Sequence, residues 1–481
     1  PTGCVMHGAL DDTICAIATP PGEGGIGVIR VSGQHALDVA AQVVLPRSGK
    51  PLSELVSHKL TVADVRSPAR AQDVPQGEEL PVRSLLDEAL VVVMKRPHSY
   101  TGEDVVEVQC HGGPVVLDQL CRWLLAAGAR LAEPGEFTKR AFLNGKLDLA
   151  QAEAVLDTIR AKTARSLTVA QAQRRGMLSR EVEQIRSELV IALAHIEAAL
   201  DFGDEDIAFV RKDELLRLLE TTHLKLRRLV ESGKDGRIWR EGAVVVILGR
   251  PNVGKSSLLN ALLRSDRAIV TPIPGTTRDV LEELVSIDGI PVRLIDTAGI
   301  RLTHDPVEAE GIRRSRLAWA DADLALILLD GSEPLSQEDS SLLSSDQAVH
   351  SILVVNKCDL PRKLSPTHLE GACPGHSDIV DISATTQMGL DALRGAIRKR
   401  VLTGGVESPD GVMVTNLRHA DACQRALLGV EQAQHSVAAD RAGELIALDL
   451  RIAADALGEI TGTITTDEIL ERIFSEFCIG K

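Results

Sequence analysis

Residues Gly249-Arg250-Pro251-Asn252-Val253-Gly254-Lys255-Ser256-Ser257 follow an apolar run, 244–248, and lead into the apolar start of a helical pattern. Glycines in such a loop let backbone N–H groups wrap a phosphate chain, and the helix N-terminus behind it adds favourable partial charge. The lysine can pair with β- and γ-phosphates, and the hydroxyl after it can bind Mg²⁺. The run predicts a P-loop in which Asn252, Val253, Gly254, Lys255, Ser256 and Ser257 surround the phosphates and Ser256 binds the metal.

About 100 residues on, Asn356-Lys357-Cys358-Asp359 follows the strand-like run 352–355. A carboxylate at Asp359 can accept both N–H donors of the guanine Watson–Crick edge and repels adenine, which presents an acceptor there. Ser383-Ala384, after 379–382, stands where a second contact to the guanine oxygen is expected. Alone the tetrapeptide is a weak signal; at this spacing behind a P-loop it is a strong one. Between the two lie Gly275-Thr276-Thr277 and Asp296-Thr297-Ala298-Gly299. Thr277 is expected on the magnesium side, Asp296 on the same ion through water, and the Gly299 N–H on the γ-phosphate. Loops held by a γ-phosphate relax on its loss, so both are expected to switch with the nucleotide. Many small GTPases follow the second of these loops with a water-orienting glutamine. Ile300 stands there and cannot serve; Arg301 and Glu308 follow, and bare spacing picks neither.

These loops need a sheet to present them. The runs 243–248, 280–287, 290–295, 323–329, 352–355 and 379–382 predict a mostly parallel sheet with helices on both faces, and Asp288-Gly289 predicts a hairpin turn. Helical periodicity flanks this block: Ile185, Leu189, Leu193, Ile196 and Leu200, then Leu215, Leu219 and Leu226 before it, and Leu445, Leu448 and Ile452 after it. The α/β block therefore reads as an insertion into one all-helical domain. Residues 1 to about 145 mix β-rich runs such as 26–31 and 89–94 with turn signals, and Gly112-Gly113-Pro114 opens a helix, so an α+β domain is expected. The stretch 46–81 reads as loop and edge structure. The resulting division is 1–146, 147–240, 241–403 and 404–481.

At 481 residues the chain exceeds one hydrophobic core. Its net charge of −15 does not advertise nucleic-acid binding, and pairs such as Arg174-Arg175 and Arg227-Arg228 read as solvated helix faces. Only 2% of residues are aromatic, too few for a broad base-stacking platform. Eight cysteines without paired spacing argue against a disulfide framework or structural zinc. With no spanning apolar run and no signal pattern, a cytoplasmic protein with no membrane association is expected; Pro1 stands where an initiator Met would, as in a trimmed or processed chain.

Nearly end to end, the chain resembles the tRNA-modifying GTPases called MnmE or TrmE. The resemblance is carried by Thr19-Pro20-Pro21-Gly22 through Arg30, Ser99-Tyr100-Thr101-Gly102-Glu103-Asp104, His111-Gly112-Gly113-Pro114, Pro134-Gly135-Glu136-Phe137, Arg140 through Leu149, the GTPase motifs and the ending Phe477-Cys478-Ile479-Gly480-Lys481. The GTPase motifs are shared with ribosome-assembly relatives, whereas the N-terminal segments and the ending are specific. The resemblance implies an N-terminal α+β domain that dimerises and binds 5-formyl- or methylene-tetrahydrofolate, an all-α helical domain, and a Ras-like α/β G domain inserted into it. It extends the nucleotide contacts to Thr271, Pro272, Ile273 and Pro274, and implies K⁺-dependent pairing of G domains, with K⁺ on Asn252, Thr271, Ile273 and Thr276. It places the catalytic glutamate at Glu308, folate contacts at Arg30, Glu107, Lys146 and Lys481, and a functional cysteine at Cys478. The implied reaction installs an aminomethyl or carboxymethylaminomethyl group at carbon 5 of the wobble uridine of certain tRNAs. FAD enters only through the partner MnmG (GidA), in a heterotetramer, since no G-x-G-x-x-G fingerprint occurs here in a strand–helix context. The alternative reading is a GTP-dependent ribosome-assembly factor.

Overall fold

The structure, a computed structural model, describes residues 12–68, 84–201, 212–266, 282–296, 319, 321–344, 351–364, 369, 378–402 and 412–481. The chain forms two compact units, Pro1–Leu156 with Gly462–Lys481, and Asp157–Thr461.

In the first unit the described strands are β1 (Ile14–Ile17), β2 (Gly24–Ser32), β3 (Val44–Pro46), β4 (Thr61–Arg66), β5 (Leu85–Met94), β6 (Val105–Gly112) and β7 (Arg130–Leu131). They form one sheet in the order β3-β4-β5-β6-β2-β1-β7, antiparallel except for β1 with β7. Strand β4 is paired on both sides, so part of the stretch expected as loop and edge is interior sheet. Ala63 and Val65 turn into the core with Asp64 and Arg66 outward, while Thr61 on the inward face and the exposed Val62 on the outward one blur the alternation that would have announced the strand. Helix α1 (Ala36–Ala41) and helix α2 (Pro114–Ala126) cover one face; α2 starts with Pro114 at its first turn, where a missing N–H costs nothing. Helices α3 (Glu136–Leu143) and α4 (Leu149–Arg160) follow. The C-terminal residues return to this unit: Leu470, Phe474 and Phe477 bury against Leu149, Ala152 and Leu156.

In the second unit, α5 (Ala164–Arg174), α6 (Met177–Asp201) and α7 (Lys212–Glu241) precede the α/β block. Within that block lie β8 (Ala243–Leu248), α8 (Lys255–Asp266), β9 (Glu282–Ile287), β10 (Ile290–Asp296), β11 (Leu324–Asp330), α9 (Gln337–Leu343), β12 (Ser351–Asn356), β13 (Ile379–Asp381) and α10 (Leu390–Val401). Helices α11 (Leu417–Ala438), α12 (Gly443–Thr461) and, back in the first unit, α13 (Asp467–Ser475) complete the chain. Helix α12 packs on α6 and α11, and α11 on α7, so segments on either side of the α/β block form one bundle. The described sheet runs β13-β12-β11-β8-β10-β9, parallel except for the β9–β10 hairpin. Asp288 (φ 49°) and Gly289 (φ 84°) make its turn, both in the left-handed region that a two-residue hairpin requires.

One helix buries a different face from the one its spacing indicates. Leu445, Leu448 and Ile452 lie on α12 but are about half exposed, while Ile446, Leu450, Ala453 and Leu457 fill the bundle core. The helix is apolar around most of its circumference, so periodicity alone could not choose the inward side. Among the described residues no helix is long and apolar enough to cross a membrane.

Candidate functional site

Parallel strands present their C-terminal ends on one side of a sheet, and loops there build the site. Strand β8 ends in the predicted P-loop, β11 lies beside it and β12 beyond that. All residues of β11 and β12 are buried, which makes them a stiff base for the loops they carry.

The P-loop turns through left-handed backbone at Asn252 (φ 64°) and Gly254 (φ 103°) before α8 begins at Lys255. The Lys255 ammonium lies 2.6 Å from the Gly249 carbonyl and 2.9 Å from that of Arg250. Ser256 and Ser257 are exposed at the first turn of α8. A side chain at Gly254 would overlap the amide nitrogen of Asn356, so the glycine is required by close approach as well as by its backbone angle.

That amide organises the site. Asn356, buried at the end of β12, donates through Nδ2 to the Val253 carbonyl at 2.8 Å and accepts through Oδ1 from the Ala384 N–H at 3.0 Å. One side chain thus ties the phosphate loop to the 383–384 loop. Ser383 is itself held by its N–H on the Met388 carbonyl at 2.9 Å, and its Oγ accepts from the Thr386 N–H. Asp359 stands exposed on the turn that follows, closed by the Leu360 N–H on the Lys357 carbonyl at 3.0 Å and anchored by the Cys358 N–H on the Ile382 carbonyl. Sequence reasoning assigns Asn356 to the nucleotide and misses its bracing role. A buried amide at a strand end, paired with a glycine-rich loop elsewhere in the chain, is the signal that could have found it.

Lys357, also left-handed (φ 64°), pairs with Asp330 at the end of β11, Nζ to Oδ2 at 2.6 Å. Burial pushes the Asp330 carboxyl up, but the Lys357 ammonium and two donors from Ser332 outweigh it and hold the group below the usual carboxylate range. Asp330 belongs to none of the sequence motifs; its mark is a carboxylate closing a wholly apolar strand. Asp296 ends β10 opposite Ile247 of β8, next to the P-loop strand. Thr271, Pro272, Ile273, Pro274, Gly275, Thr276, Thr277, Thr297, Ala298, Gly299 and Glu308 lie outside the described residues.

In the first unit, Arg30 and Glu107 face each other across β2 and β6. The guanidinium donates to Glu107 from Nε at 2.7 Å, and Nη2 lies at the same distance. Nη1 donates to the Gly480 carbonyl at 3.4 Å, and the rings of Tyr100 and Phe137 lie 5.7 and 5.5 Å from the guanidinium carbon. This is a cross-strand pair within the sheet with a cation–π setting, and not a pair at frayed strand ends. The structure therefore joins Arg30, Glu107 and the C-terminal tail. The buried Phe477 anchors the tail, the Gly135 N–H meets the Cys478 carbonyl at 3.5 Å, and position 480 requires glycine twice over, by its φ of 97° and because a side chain there would strike the Ile17 carbonyl at 2.6 Å. The Cys478 thiol is left exposed, alone in this among the described cysteines. Lys146 is placed on the Pro97 carbonyl at 3.0 Å, at the base of the loop that carries Tyr100.

A buried charge cluster supports that loop. Arg140 is 1% exposed and binds Asp12, Glu103 and Glu136, while Arg130 binds Asp12 and Glu136. For Glu136, burial raises the carboxyl, yet Arg130, the Glu133 N–H and Arg140 together hold it low. Glu103 also accepts from Ser32 Oγ at 2.8 Å, so the loop, β2 and α3 are tied through one cluster.

Residues 13–146 match the family profile described as GTP-binding protein TrmE N-terminus, and residues 149–478 match the MnmE helical domain. The chain is 45% identical over 478 residues to the tRNA modification GTPase MnmE of Heliobacterium modesticaldum, covering 98% of this chain and 100% of that protein. It is 47% identical over 474 residues to that of Chloroflexus aurantiacus and 42% identical over 472 to that of Alkaliphilus oremlandii, each covering 98% of this chain and 100% of the relative. With both its N-terminal and helical segments matched and its relatives aligned along nearly the whole length, the chain belongs to the MnmE (TrmE) family of tRNA modification GTPases.

Proposed function

We propose that the chain binds and hydrolyses GTP at the C-terminal ends of β8, β10, β11 and β12, and that this turnover serves modification of carbon 5 of the wobble uridine in tRNA. The observation that carries the nucleotide reading is the double hydrogen bond of Asn356, which brings the phosphate loop and the 383–384 loop to one place beside Asp359. Family membership and the names of the relatives support the tRNA substrate.

Exposed hydroxyls at the start of α8 suit a hard cation. Ser256 would hold Mg²⁺ with Thr277, and Asp296 through water; the ion would offset phosphate charge. Lys255 would exchange its two loop carbonyls for phosphate oxygens. Asn252, exposed in the P-loop, would hold K⁺ with Thr271, Ile273 and Thr276, a charge placed as an arginine finger is. Glu308 would orient the attacking water in place of the side chain that Ile300 lacks. GTP hydrolysis should slow by more than about tenfold when Na⁺ replaces K⁺, and Glu308→Ala should lower kcat while GTP affinity holds. A rate indifferent to the cation removes the Asn252 assignment, and an equal loss of affinity removes the Glu308 role.

In the first unit the proposal assigns Arg30, Glu107, Lys146 and Lys481 to tetrahydrofolate, the one-carbon donor, and Cys478 to thiol chemistry beside it. A guanidinium has five N–H groups, and the two donated to Glu107 and Gly480 leave others for an anionic ligand. Glu107 therefore orients Arg30 as well as offering an acceptor to a pterin ring. The proposal includes a homodimer formed through the N-terminal domain and an FAD-bearing partner, MnmG. Titration with 5-formyl-tetrahydrofolate should show micromolar binding that Arg30→Ala abolishes; no binding to the wild type rejects the folate assignment. Unchanged wobble uridines in tRNA from a deletion strain would reject the tRNA reading.

A further inference from the structure

Two loops that grip opposite ends of one ligand must keep their separation, and a single tie between them leaves a pivot. Asn356 is one tie. A second runs through residues 330–339, between the ends of the strands that carry the two loops, because β11 lies between β8 and β12. At its first end, Asp330 is buried and holds Lys357 at 2.6 Å, while its other oxygen accepts from the N–H and hydroxyl of Ser332 at 2.9 and 2.7 Å. The Gly331 N–H donates to the Asn356 carbonyl at 2.8 Å, and the Lys363 N–H to that of Gly331 at 2.9 Å. At its other end, Arg250 of the P-loop pairs with Glu333 and lies 3.3 Å from Asp339. Asp339 cannot follow a moving loop: it is 2% exposed and locked in a capping box with Ser336 at the start of α9.

We propose that residues 330–339 form a second brace between the phosphate loop and the base loop, with Arg250 and Asp330 as positioning residues that set affinity for a nucleotide spanning both loops. The inference rests on the nucleotide reading above. It assigns Lys357 a fixed place, since its left-handed backbone, unfavourable for a lysine, is retained under the pull of Asp330. It also gives Arg250 a role that no phosphate contact requires: both its carboxylate partners come from one connector.

The test is a double-mutant cycle on the full chain, with Mg-GDP and Mg-GTP as probes. Arg250→Ala and Asp330→Asn should each weaken binding of both nucleotides by about tenfold, raising KM and leaving kcat at saturating GTP unchanged. Because both changes cut the same bridge, the double variant should bind no more than about tenfold worse than the wild type. Independent local effects would instead multiply to about a hundredfold, and that result, or unchanged affinity in both singles, overturns the brace. Glu333→Ala, at an exposed position, repeats the first arm if Arg250→Ala does not fold. Pyrophosphate, which engages the phosphate loop alone, should bind the wild type and Glu333→Ala equally; a parallel loss would mean a local effect and overturn the brace. Failure of the wild type to bind Mg-GTP would reject the nucleotide reading itself, a result distinct from any of these.

Discussion

Asp359→Asn should turn the protein from a GTP binder into one that prefers xanthosine triphosphate, with GTP affinity lowered by about a thousandfold. The guanine edge offers two N–H donors side by side, and a carboxylate offers two acceptors to match. An amide at the same position keeps one acceptor and adds one donor. Xanthine carries a carbonyl in place of the exocyclic amine, so its edge pairs one donor with one acceptor, the complement of the amide. Each mispaired group in a desolvated contact costs about 1–3 kcal/mol, and the mispairing here replaces an attraction to a charge. Local geometry favours a clean exchange. Asp359 is exposed on a turn whose shape is set by backbone bonds from Leu360 to Lys357 and from Cys358 to Ile382, none of which involves its side chain. Competition of labelled GTP against XTP on both variants reads the result. Equal loss of both nucleotides would mean that Asp359 supports the loop and does not read the base.

The second large effect is expected from Asn356→Ala, which should lower affinity for all guanine nucleotides by about a hundredfold and also lower the melting temperature of the nucleotide-free protein. Asn356 is buried and both ends of its amide are used, one on the Val253 carbonyl and one on the Ala384 N–H. Truncation leaves a buried acceptor and a buried donor unpaired, at about 1–3 kcal/mol each. Part of that cost falls on folding and part on binding, because ligand binding must then order loops that the native amide already holds. Gly254→Ala attacks the same joint from the other side, since its methyl would occupy the place of the Asn356 amide nitrogen. The two changes should therefore be far from additive. Asn356→Asp should not rescue, because a carboxylate can accept from Ala384 but sets an anion against the Val253 carbonyl. Normal GTP affinity in Asn356→Ala would show that the loops are held in place by other means.

Several parts of the site are legible without coordinates. The phosphate loop, the base tetrapeptide and the Asp288-Gly289 hairpin are contiguous motifs that residue type and spacing announce; at the hairpin residue type also sets the backbone, whereas the left-handed Lys357 of the tetrapeptide is held by Asp330. The strands of the α/β block also end within a residue or two of their expected limits: β8, β11 and β12 are near-continuous apolar runs that leave little choice, and β9 and β10, which carry Glu282, Glu283, Ser286 and Arg293, are bounded by the Asp288-Gly289 turn. Thr271–Thr277, Thr297–Gly299 and Glu308 stand on sequence reasoning, being outside the described residues.

By itself, then, the sequence determined the chemistry available: a loop for phosphates, a carboxylate for a purine edge, a thiol near the chain end, and helices on both sides of an α/β block. Tertiary structure decided which groups meet. It joined Asn356 to Val253 across 103 residues and Arg30 to Gly480 across 450, linked Asp330 and Arg250 through one connector, and turned Leu445, Leu448 and Ile452 of α12 outward. The physical reason is the range of the forces. Backbone propensity and turn chemistry act within a few residues, whereas buried hydrogen bonds and core packing select among partners that only the folded chain brings within about 3 Å of each other.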